Sequence, residues 1–200
     1  MPDLPAGYLN AFPPDRPVGL RRRQLPAGTE LWRIDATDPA NWDWTGFPAP
    51  RYRFDPMSGG FRVRYAGRTV TGAFREKYRD SGLFIPRDHS THRLVRLIAA
   101  RGLRVFDLRT ERNIDALNVD DQISTGLQPD VWNACHRLTD AARGWWDDLD
   151  ALIYRSRTTP ATSTNIAFFA NDAFDVENWR LIDRPDVLAD LVLAHGFTIG

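Results

Sequence analysis

The sequence predicts an α+β fold, because strand-like and helix-like segments follow one another without the regular β-α-β alternation of a doubly wound sheet. Residues 30–35 (ELWRID) alternate like a strand. Residues 69–80 instead place Val70, Ala73 and Phe74 at the spacing of an amphipathic helix. With 42% apolar and 26% charged residues, the 200-residue chain has the composition of a globular protein and is long enough to bury a core.

The remaining elements follow in irregular order. Strands are predicted at residues 61–66, 103–108, 151–156, 165–169 and 179–182, and helices at residues 92–101, 129–148 and 185–195. A proline at the start of the 129–148 helix and a glycine after the 92–101 helix suit helix ends. The first 28 residues contain six prolines and predict a Pro-rich arm rather than an element, so the domain is expected over residues 29–200. Residues 41–50 are a loop rich in tryptophan and proline.

The charge balance argues against several classes of partner. Lys+Arg and Asp+Glu both number 26, so no global charge directs the chain toward nucleic acid or an anionic membrane. Arg21–Arg23 is a short basic run typical of a solvated segment. Every cationic residue except Lys77 is arginine, which reflects either genomic base composition or the use of guanidinium groups to bind phosphates and carboxylates. Without an apolar run of about 20 residues or a signal-peptide pattern, the chain is expected to be cytoplasmic, with no membrane contact and no direct nucleic-acid contact.

Familiar cofactor and nucleophile motifs are missing from the sequence. It contains no G-x-G-x-x-G, no G-x-x-x-x-G-K-[ST] and no G-x-S-x-G. The lone Cys135 excludes a disulfide framework and a thiolate metal site. His89 and His92 lack a third ligand, and the three aspartates at positions 147, 148 and 150 are typical of a solvated turn. No metal site is therefore predicted.

A distributed set of polar residues remains at the ends and edges of apolar elements: Arg33, Arg53, Tyr65, Glu76 and Ser156. Each has a structural interpretation when taken alone. Arg33 suits a strand-edge charge, Glu76 suits an ion pair with a nearby arginine along its helix, and Ser156 suits a turn. Glu76 follows Ala73 by three residues, which places its carboxylate at the border between core and cleft. The residues by themselves predict an α+β enzyme with an arginine-rich pocket for an anion.

The same residues carry a resemblance to a known family. LWR at 31–33 is followed by RFDP at 53–56 and a strand that ends at Tyr65; GAFREKY at 72–78, DALIYRSR at 150–157 and TNIAFF at 164–169 follow in order. Over residues 29–170 this order resembles the RES-domain family, named for its Arg, Glu and Ser. Ala151 stands where the family usually has glycine, Ile34 stands where some members have tyrosine, and the tryptophan-rich loop is unusual. The arm before residue 29 has no counterpart.

The resemblance implies a fold and an activity. RES proteins are similar to ADP-ribosyltransferases of the diphtheria-toxin type, which have two small β-sheets around an NAD cleft with flanking helices. It implies the toxin of a toxin–antitoxin pair, which cleaves the nicotinamide–ribose bond of NAD as a glycohydrolase or phosphorylase. The implied partner is an Xre-type helix-turn-helix antitoxin that blocks the cleft. Whether the chain also forms a homodimer is left undecided by the sequence. No cofactor is implied, because NAD is the substrate.

The resemblance also assigns roles to individual residues. Glu76, Arg33 and Ser156 are the implied catalytic residues. The implied substrate-binding residues are Arg53, Tyr65, Arg157 and Asn165. The alternatives are an ADP-ribosyltransferase that modifies a protein and a non-catalytic binding module of the same fold. Transferases that modify arginine often carry Glu or Gln two residues before the catalytic glutamate; Phe74 occupies that position here, which favours NAD degradation.

Overall fold

The computed structural model describes residues 4–158 and 163–200. The strands in these ranges are β1 (Arg22–Leu25), β2 (Glu30–Asp35), β3 (Arg64–Gly67), β4 (Phe84–Ile85), β5 (Arg93–Ala99), β6 (Leu103–Asp107), β7 (Ala151–Arg155), β8 (Thr164–Phe168), β9 (Phe174–Arg180) and β10 (Thr198–Ile199). The α-helices are α1 (Ala6–Leu9), α2 (Val70–Tyr78), α3 (Glu111–Leu117), α4 (Gln122–Thr125), α5 (Pro129–Trp145) and α6 (Pro185–His195). None of the helices in the described ranges is both long enough and apolar enough to cross a bilayer.

Eight strands form one sheet in the order β1-β6-β7-β8-β3-β2-β5-β9, and β4 and β10 form a separate parallel pair. The large sheet is almost divided between β3 and β2, where Trp32 and Gly67 are the only paired residues. By contrast, β2 pairs with β5 over six residues and β3 with β8 over four. The sheet therefore consists of a five-stranded half (β1, β6, β7, β8, β3) and a three-stranded half (β2, β5, β9). This arrangement confirms the α+β class, and the two predicted sheets are the two halves joined at one position.

Alternation of side chains along the strands creates three apolar clusters. One cluster lies between the five-stranded half and α5 and includes Phe106, Leu152, Ala167, Val131 and Leu138. A second joins the two halves and includes Leu31, Val95, Leu97, Val105, Ile153, Ile166 and Phe168. A third lies under α2 and α6 on the outer face of the three-stranded half and includes Ile34, Leu94, Phe74, Leu191 and Phe197. The two halves are thus held face against face by the second cluster, although their backbones pair at one position.

The helix predicted at residues 92–101 is wrong, because this segment is strand β5. Leu94 faces the third cluster, whereas Val95 and Leu97 face the second. A strand buried on both faces carries apolar residues at consecutive positions, which hydrophobic periodicity does not distinguish from a buried helix. The β-branched Val95 and Ile98 are the signal in this segment that favours a strand.

The arm was predicted to contain no element, which is wrong for residues 4–28, since α1 and β1 lie there. Strand β1 pairs with β6 along its whole length. The hydroxyl of buried Tyr8 donates to the Asp120 carboxylate at 2.7 Å. Arg22, in the basic run, forms an ion pair with Asp148. The arm is therefore an integral part of the first apolar cluster and not a loose lead-in.

The tryptophan-rich loop packs against the junction of the two halves. The rings of Trp42 and Trp44 lie 6.1 and 5.9 Å from the ring of Phe168 on β8. Gly46 approaches the backbone so closely that an added Cβ would lie 1.9 Å from the Gly59 carbonyl oxygen. Glycine at position 46 thus permits the loop to fold back beside the cleft.

Candidate active site

A cavity of about 590 Å³ lies where the large sheet divides, between β2, β3, α2 and the loops around residues 47 and 52. Its cationic side chains are Arg33, Arg53, Arg62, Arg64, Lys77, Arg79 and Arg157, against the acidic Asp35, Glu76 and Asp80. Its aromatic side chains are Trp32, Phe47, Tyr52, Tyr65, Trp132 and Tyr154. In a chain of zero net charge, this excess of cations concentrates positive potential in one concave site. The lining therefore suits an anionic ligand with flat ring systems.

Glu76 reaches the cavity because α2 presents two different faces. Thr69 caps the helix, and its hydroxyl oxygen accepts a hydrogen bond from the Gly72 amide at 3.0 Å. Phe74 and Tyr78 are buried in the third apolar cluster, whereas Glu76 lines the cavity. The helix therefore anchors one face in the core and holds the carboxylate at the border of the cleft, as the spacing predicts.

Ser156 lies just beyond the end of β7 and is 4% exposed. Its hydroxyl donates a hydrogen bond to Glu76 Oε1. The same oxygen accepts from the Thr158 amide at 2.9 Å and lies 2.7 Å from Thr158 Oγ1. Because the single proton of Ser156 is directed to Glu76, the Thr158 hydroxyl is the donor in the second contact. Ser156 itself does not line the cavity, so its direct contact is with Glu76 and not with the cavity space.

Arg33 projects from β2 toward β3. Its Nε donates to Asp35 Oδ2 at 2.6 Å, and its Nη1 donates to the Tyr65 carbonyl at 2.9 Å. These contacts use two faces of the guanidinium group and leave Nη2 without a hydrogen-bond partner among the described residues. The arginine is therefore held by protein groups while its Nη2 amino group remains available to a ligand.

Arg53 and Tyr65 line the cavity, but their polar atoms contact the protein. The Arg53 guanidinium donates to the carbonyls of Gly126 and Ile123 at 2.6 and 3.3 Å. The Tyr65 hydroxyl accepts from the Phe54 amide at 2.9 Å and donates to Asp55 at 3.2 Å. Burial, together with the nearby Asp55 carboxylate, raises the pKa of Tyr65 well above its usual value. The RFDP segment is thus a wall of the cavity, held by these two side chains.

Arg157 and Asn165 are the two remaining predicted binding residues, and both line the cavity. The half-buried Arg157 forms no hydrogen bond or ion pair with any residue in the described ranges. Burial and the neighbouring Arg79 and Arg53 guanidinium groups lower its pKa. Asn165 is buried on β8, where it pairs with Tyr154 of β7. Arg157 is therefore a cation that an anionic group in the cavity would neutralise.

Sequence reasoning missed three residues that support the predicted set. Asp35 and Arg64 contact each other at 3.2 Å across the divide between β2 and β3. Thr158 contacts Ser156. Asp35 and Thr158 each lie two residues beyond a predicted site residue, so proximity along the chain was an available signal. Arg64 carried the same signal, because it directly precedes Tyr65, although its partner Asp35 is 29 residues away.

The two weak metal candidates in the sequence have structural explanations. The His89 and His92 rings stack with their centroids 3.9 Å apart. Asp148 pairs with Arg104, and Asp150 pairs with Arg101. Within residues 4–158 and 163–200, no group of three or more His, Cys, Asp or Glu side chains is arranged to hold a metal ion.

The fold is ADP-ribosyltransferase-like, with the carboxylate and the arginines placed in the cleft between two half-sheets. The crystal structure of the M. tuberculosis MbcT–MbcA toxin–antitoxin complex contains a similar chain, with a TM-score of 0.53 over 83% of this chain and 92% of that chain. The two sequences are 14% identical, so this likeness concerns the fold. The RES domain matches residues 30–188, and the chain belongs to the RES-domain family. No curated protein matches the sequence significantly.

Proposed function

We propose that this RES-domain protein is the toxin of a toxin–antitoxin pair and cleaves the nicotinamide–ribose bond of NAD. The observation that carries the proposal is the Glu76 carboxylate, held at the cavity by the buried Ser156 hydroxyl. The cavity volume of about 590 Å³ is that of an ordinary ligand pocket. Membership of the RES family and the likeness to a chain of a toxin–antitoxin complex support the toxin assignment.

The chemistry requires an anion beside the reacting carbon more than it requires an acid. As the C–N bond breaks, its electron pair stays with the nicotinamide nitrogen, and the cationic ring leaves as a neutral molecule. The ribose carbon then carries positive charge, as in glycoside hydrolysis. A fixed carboxylate stabilises that charge without having to reorganise during the reaction. Glu76 supplies the carboxylate, and the donor contact from Ser156 fixes one of its oxygens.

The arginines suit the other end of the substrate. A pyrophosphate accepts paired hydrogen bonds from guanidinium groups. We assign to it Arg157, which has no hydrogen-bond or ion-pair partner in the described ranges, and Arg33, whose Nη2 amino group is unused. Tyr65 lines the cavity while its hydroxyl is held by Asp55, and we assign its ring to stacking on a planar base. No cofactor is required, because NAD is consumed.

The acceptor distinguishes degradation of NAD from modification of a protein. When water attacks, it forms the new C–O bond, loses a proton and gives ADP-ribose; phosphate gives ADP-ribose 1″-phosphate. Phe74, two residues before Glu76, is fully buried in the third apolar cluster. That position therefore presents no polar group to a protein acceptor, which favours a small acceptor. We expect an Xre-type helix-turn-helix antitoxin as the partner that blocks the cleft.

The first test is the release of nicotinamide from NAD by the purified protein. We expect Glu76→Gln, which keeps the side-chain shape and removes the charge, to lower kcat by about 10²- to 10³-fold. Glu111→Gln is the matched control, because Glu111 is exposed on α3 and does not line the cavity. Liquid chromatography of NAD and nicotinamide measures both variants.

The reaction products distinguish degradation of NAD from modification of a protein. Equal turnover by wild type and Glu76→Gln contradicts the role of Glu76. Assays with and without inorganic phosphate separate ADP-ribose from its 1″-phosphate and so identify a small acceptor. Transfer of label from NAD to a protein, without free ADP-ribose, favours the transferase alternative. A wild-type protein that neither cleaves NAD nor transfers label contradicts the proposed function.

A further inference from the structure

We propose that Asp35 is a positioning residue, whose buried carboxylate aligns Arg33 toward the substrate and joins the two half-sheets at the cleft. Asp35 acts on the substrate through Arg33. The inference rests on the proposed function, since it assigns a part of the NAD site.

Asp35 is the last residue of β2 and lies on the same face of the strand as Arg33. It is 7% exposed, yet its carboxylate accepts hydrogen bonds from three donors. Oδ2 accepts from Arg33 Nε at 2.6 Å and from Arg64 Nη1 at 3.2 Å, and Oδ1 accepts from the Thr37 amide at 2.9 Å. A buried carboxylate with this number of charged and amide donors is fixed in position.

The two arginines that share this carboxylate come from opposite sides of the divide. Arg33 belongs to the three-stranded half and Arg64 to the five-stranded half. Backbone pairing between these halves is limited to Trp32 and Gly67. Beyond that pair, the contacts of Asp35 with Arg64 and of Arg33 with the Tyr65 carbonyl connect β2 to β3. Side chains therefore replace the missing backbone hydrogen bonds at the edge of the cavity.

The charges of this cluster depend on one another. Burial acts to raise the pKa of Asp35, but the Arg33 guanidinium, the Thr37 amide and Arg64 together hold it below its usual value. Burial and repulsion from Arg33 lower the pKa of Arg64 to about 10, and Asp35 opposes that fall. Removal of the negative charge would leave two partly buried guanidinium groups facing each other. Arg33 would then move away from Arg64, and its free Nη2 would leave the position in which it meets the ligand.

The tryptophan-rich loop is attached to the same cluster. Arg64 lies 4.5 and 5.3 Å from the ring centres of Trp42 and Trp44 and donates to the Asp43 carbonyl at 3.1 Å. Phe47, farther along this loop, lines the cavity. These contacts hold Arg64 independently of Asp35, so loss of the Asp35 charge is expected to move Arg33 rather than Arg64. The effect acts on substrate binding and leaves Glu76, on α2, in place.

The experiment compares Asp35→Asn with Asp107→Asn in NAD turnover. Asp107 is also buried at a strand end and also holds two arginines, Arg23 and Arg109, but it does not line the cavity. We expect Asp35→Asn to raise KM for NAD about tenfold while kcat changes less than threefold, the pattern of lost ground-state binding. Asp107→Asn should lose comparable thermal stability and keep the wild-type KM. A wild-type KM in Asp35→Asn overturns the proposal, as does an equal rise of KM in Asp107→Asn.

A double-mutant cycle tests whether Asp35 acts through Arg33. Arg33→Ala should raise KM, and Asp35→Asn added to it should raise KM by less than twofold further. Full additivity of the two changes overturns the positioning role. If Asp35→Asn does not fold, Asp35→Glu takes its place, because it keeps the charge between the arginines and displaces it by one methylene. A KM rise of about threefold is expected for that variant, and an unchanged KM contradicts the proposal.

The two proposals fail in different ways. A wild-type protein without activity toward NAD contradicts the proposed function. A wild-type protein that cleaves NAD, with Asp35→Asn indistinguishable from it in KM, contradicts the role of Asp35 alone.

Discussion

At the residue scale, two hydroxyl groups form a chain of hydrogen bonds that ends at the Glu76 carboxylate. The Thr158 hydroxyl donates to Ser156 Oγ, and Ser156 donates to Glu76 Oε1. Each hydroxyl has one proton, so the direction of the chain is fixed by the carboxylate at its end. The geometry gives Ser156 a supporting place behind Glu76, where it holds the anion rather than lining the cavity.

Substitution of Thr158 tests this chain. Thr158→Val removes the Oγ1 donor but keeps the backbone amide that also contacts Ser156. Loss of one net hydrogen bond of about 0.5–1.5 kcal/mol corresponds to a fall in kcat of about two- to tenfold. Thr158→Ser retains the hydroxyl and should keep wild-type kcat in the same nicotinamide-release assay. If Thr158→Ser lowers kcat as much as Thr158→Val does, the proposed chain of hydroxyl groups is contradicted.

The sequence identified site residues where motif order carried information and missed those that depend on the fold. Arg33, Glu76, Arg157 and Asn165, which the sequence predicts, line one cavity. The sequence does not predict Asp35, because the role of Asp35 depends on Arg64, which lies on another strand. Strand pairing determines how deeply a carboxylate is buried and which residues it contacts. The residue pattern within one strand does not reveal that pairing. The roles assigned to the predicted residues stay predictions until turnover is measured.

At the element scale, a short connection links the end of strand β3 to the N-terminus of helix α2. Gly67 ends β3 and packs so closely on α2 that an added Cβ would lie 3.1 Å from the Ala73 amide nitrogen. The Thr69 cap begins the helix two residues later. This short connection allows β3 and Glu76 to line the same cavity.

Removal of the cap should weaken this element. We expect Thr69→Ala to lower the free energy of unfolding by about 1 kcal/mol, because the Gly72 amide loses its acceptor. Thr69→Ser keeps a capping oxygen and should retain most of the stability. Urea denaturation followed by circular dichroism measures both variants, and identical midpoints for alanine and wild type would contradict a stabilising cap.

Most elements were predicted from residue patterns, and two strands show where such patterns fail: β5, whose pattern also fits a helix, and β1, which forms through a distant partner strand. Strand β2 and helix α6 have the predicted bounds. Strand β5 was read as a helix, because it is buried on both faces. Strand β1 was missed because it forms at the sheet edge through pairing with β6, a partner about 80 residues away along the chain.

At the scale of the whole molecule, the N-terminal arm is part of the structure that forms the cavity wall. Tyr8 and Leu20 belong to the first apolar cluster, together with Ile123. The carbonyl of Ile123 also accepts from Arg53 at the cavity. The arm therefore supports the cavity wall through its packing against Ile123.

Two neighbouring residues of α1 provide a matched test of this packing. Tyr8 is 1% exposed, whereas Leu9 is 64% exposed. Tyr8→Ala should lower the free energy of unfolding by about 3–5 kcal/mol, as for other buried aromatic side chains. Leu9→Ala should change it by less than about 0.5 kcal/mol. Equal effects of the two substitutions on the urea midpoint would mean that the arm does not contribute to the core.

The single backbone pair between Trp32 and Gly67 has a consequence for the evolution of ligand choice. In a complete ladder, the spacing of neighbouring strands is fixed at about 4.8 Å. Here the opening beyond that pair depends on the lengths of side chains such as Arg33, Asp35 and Arg64, while each half keeps its own hydrogen bonds. Substitution at these few positions alters the shape of the opening without unpairing either half. A change in the shape of the site thus does not require a change in the strand pairing of either half.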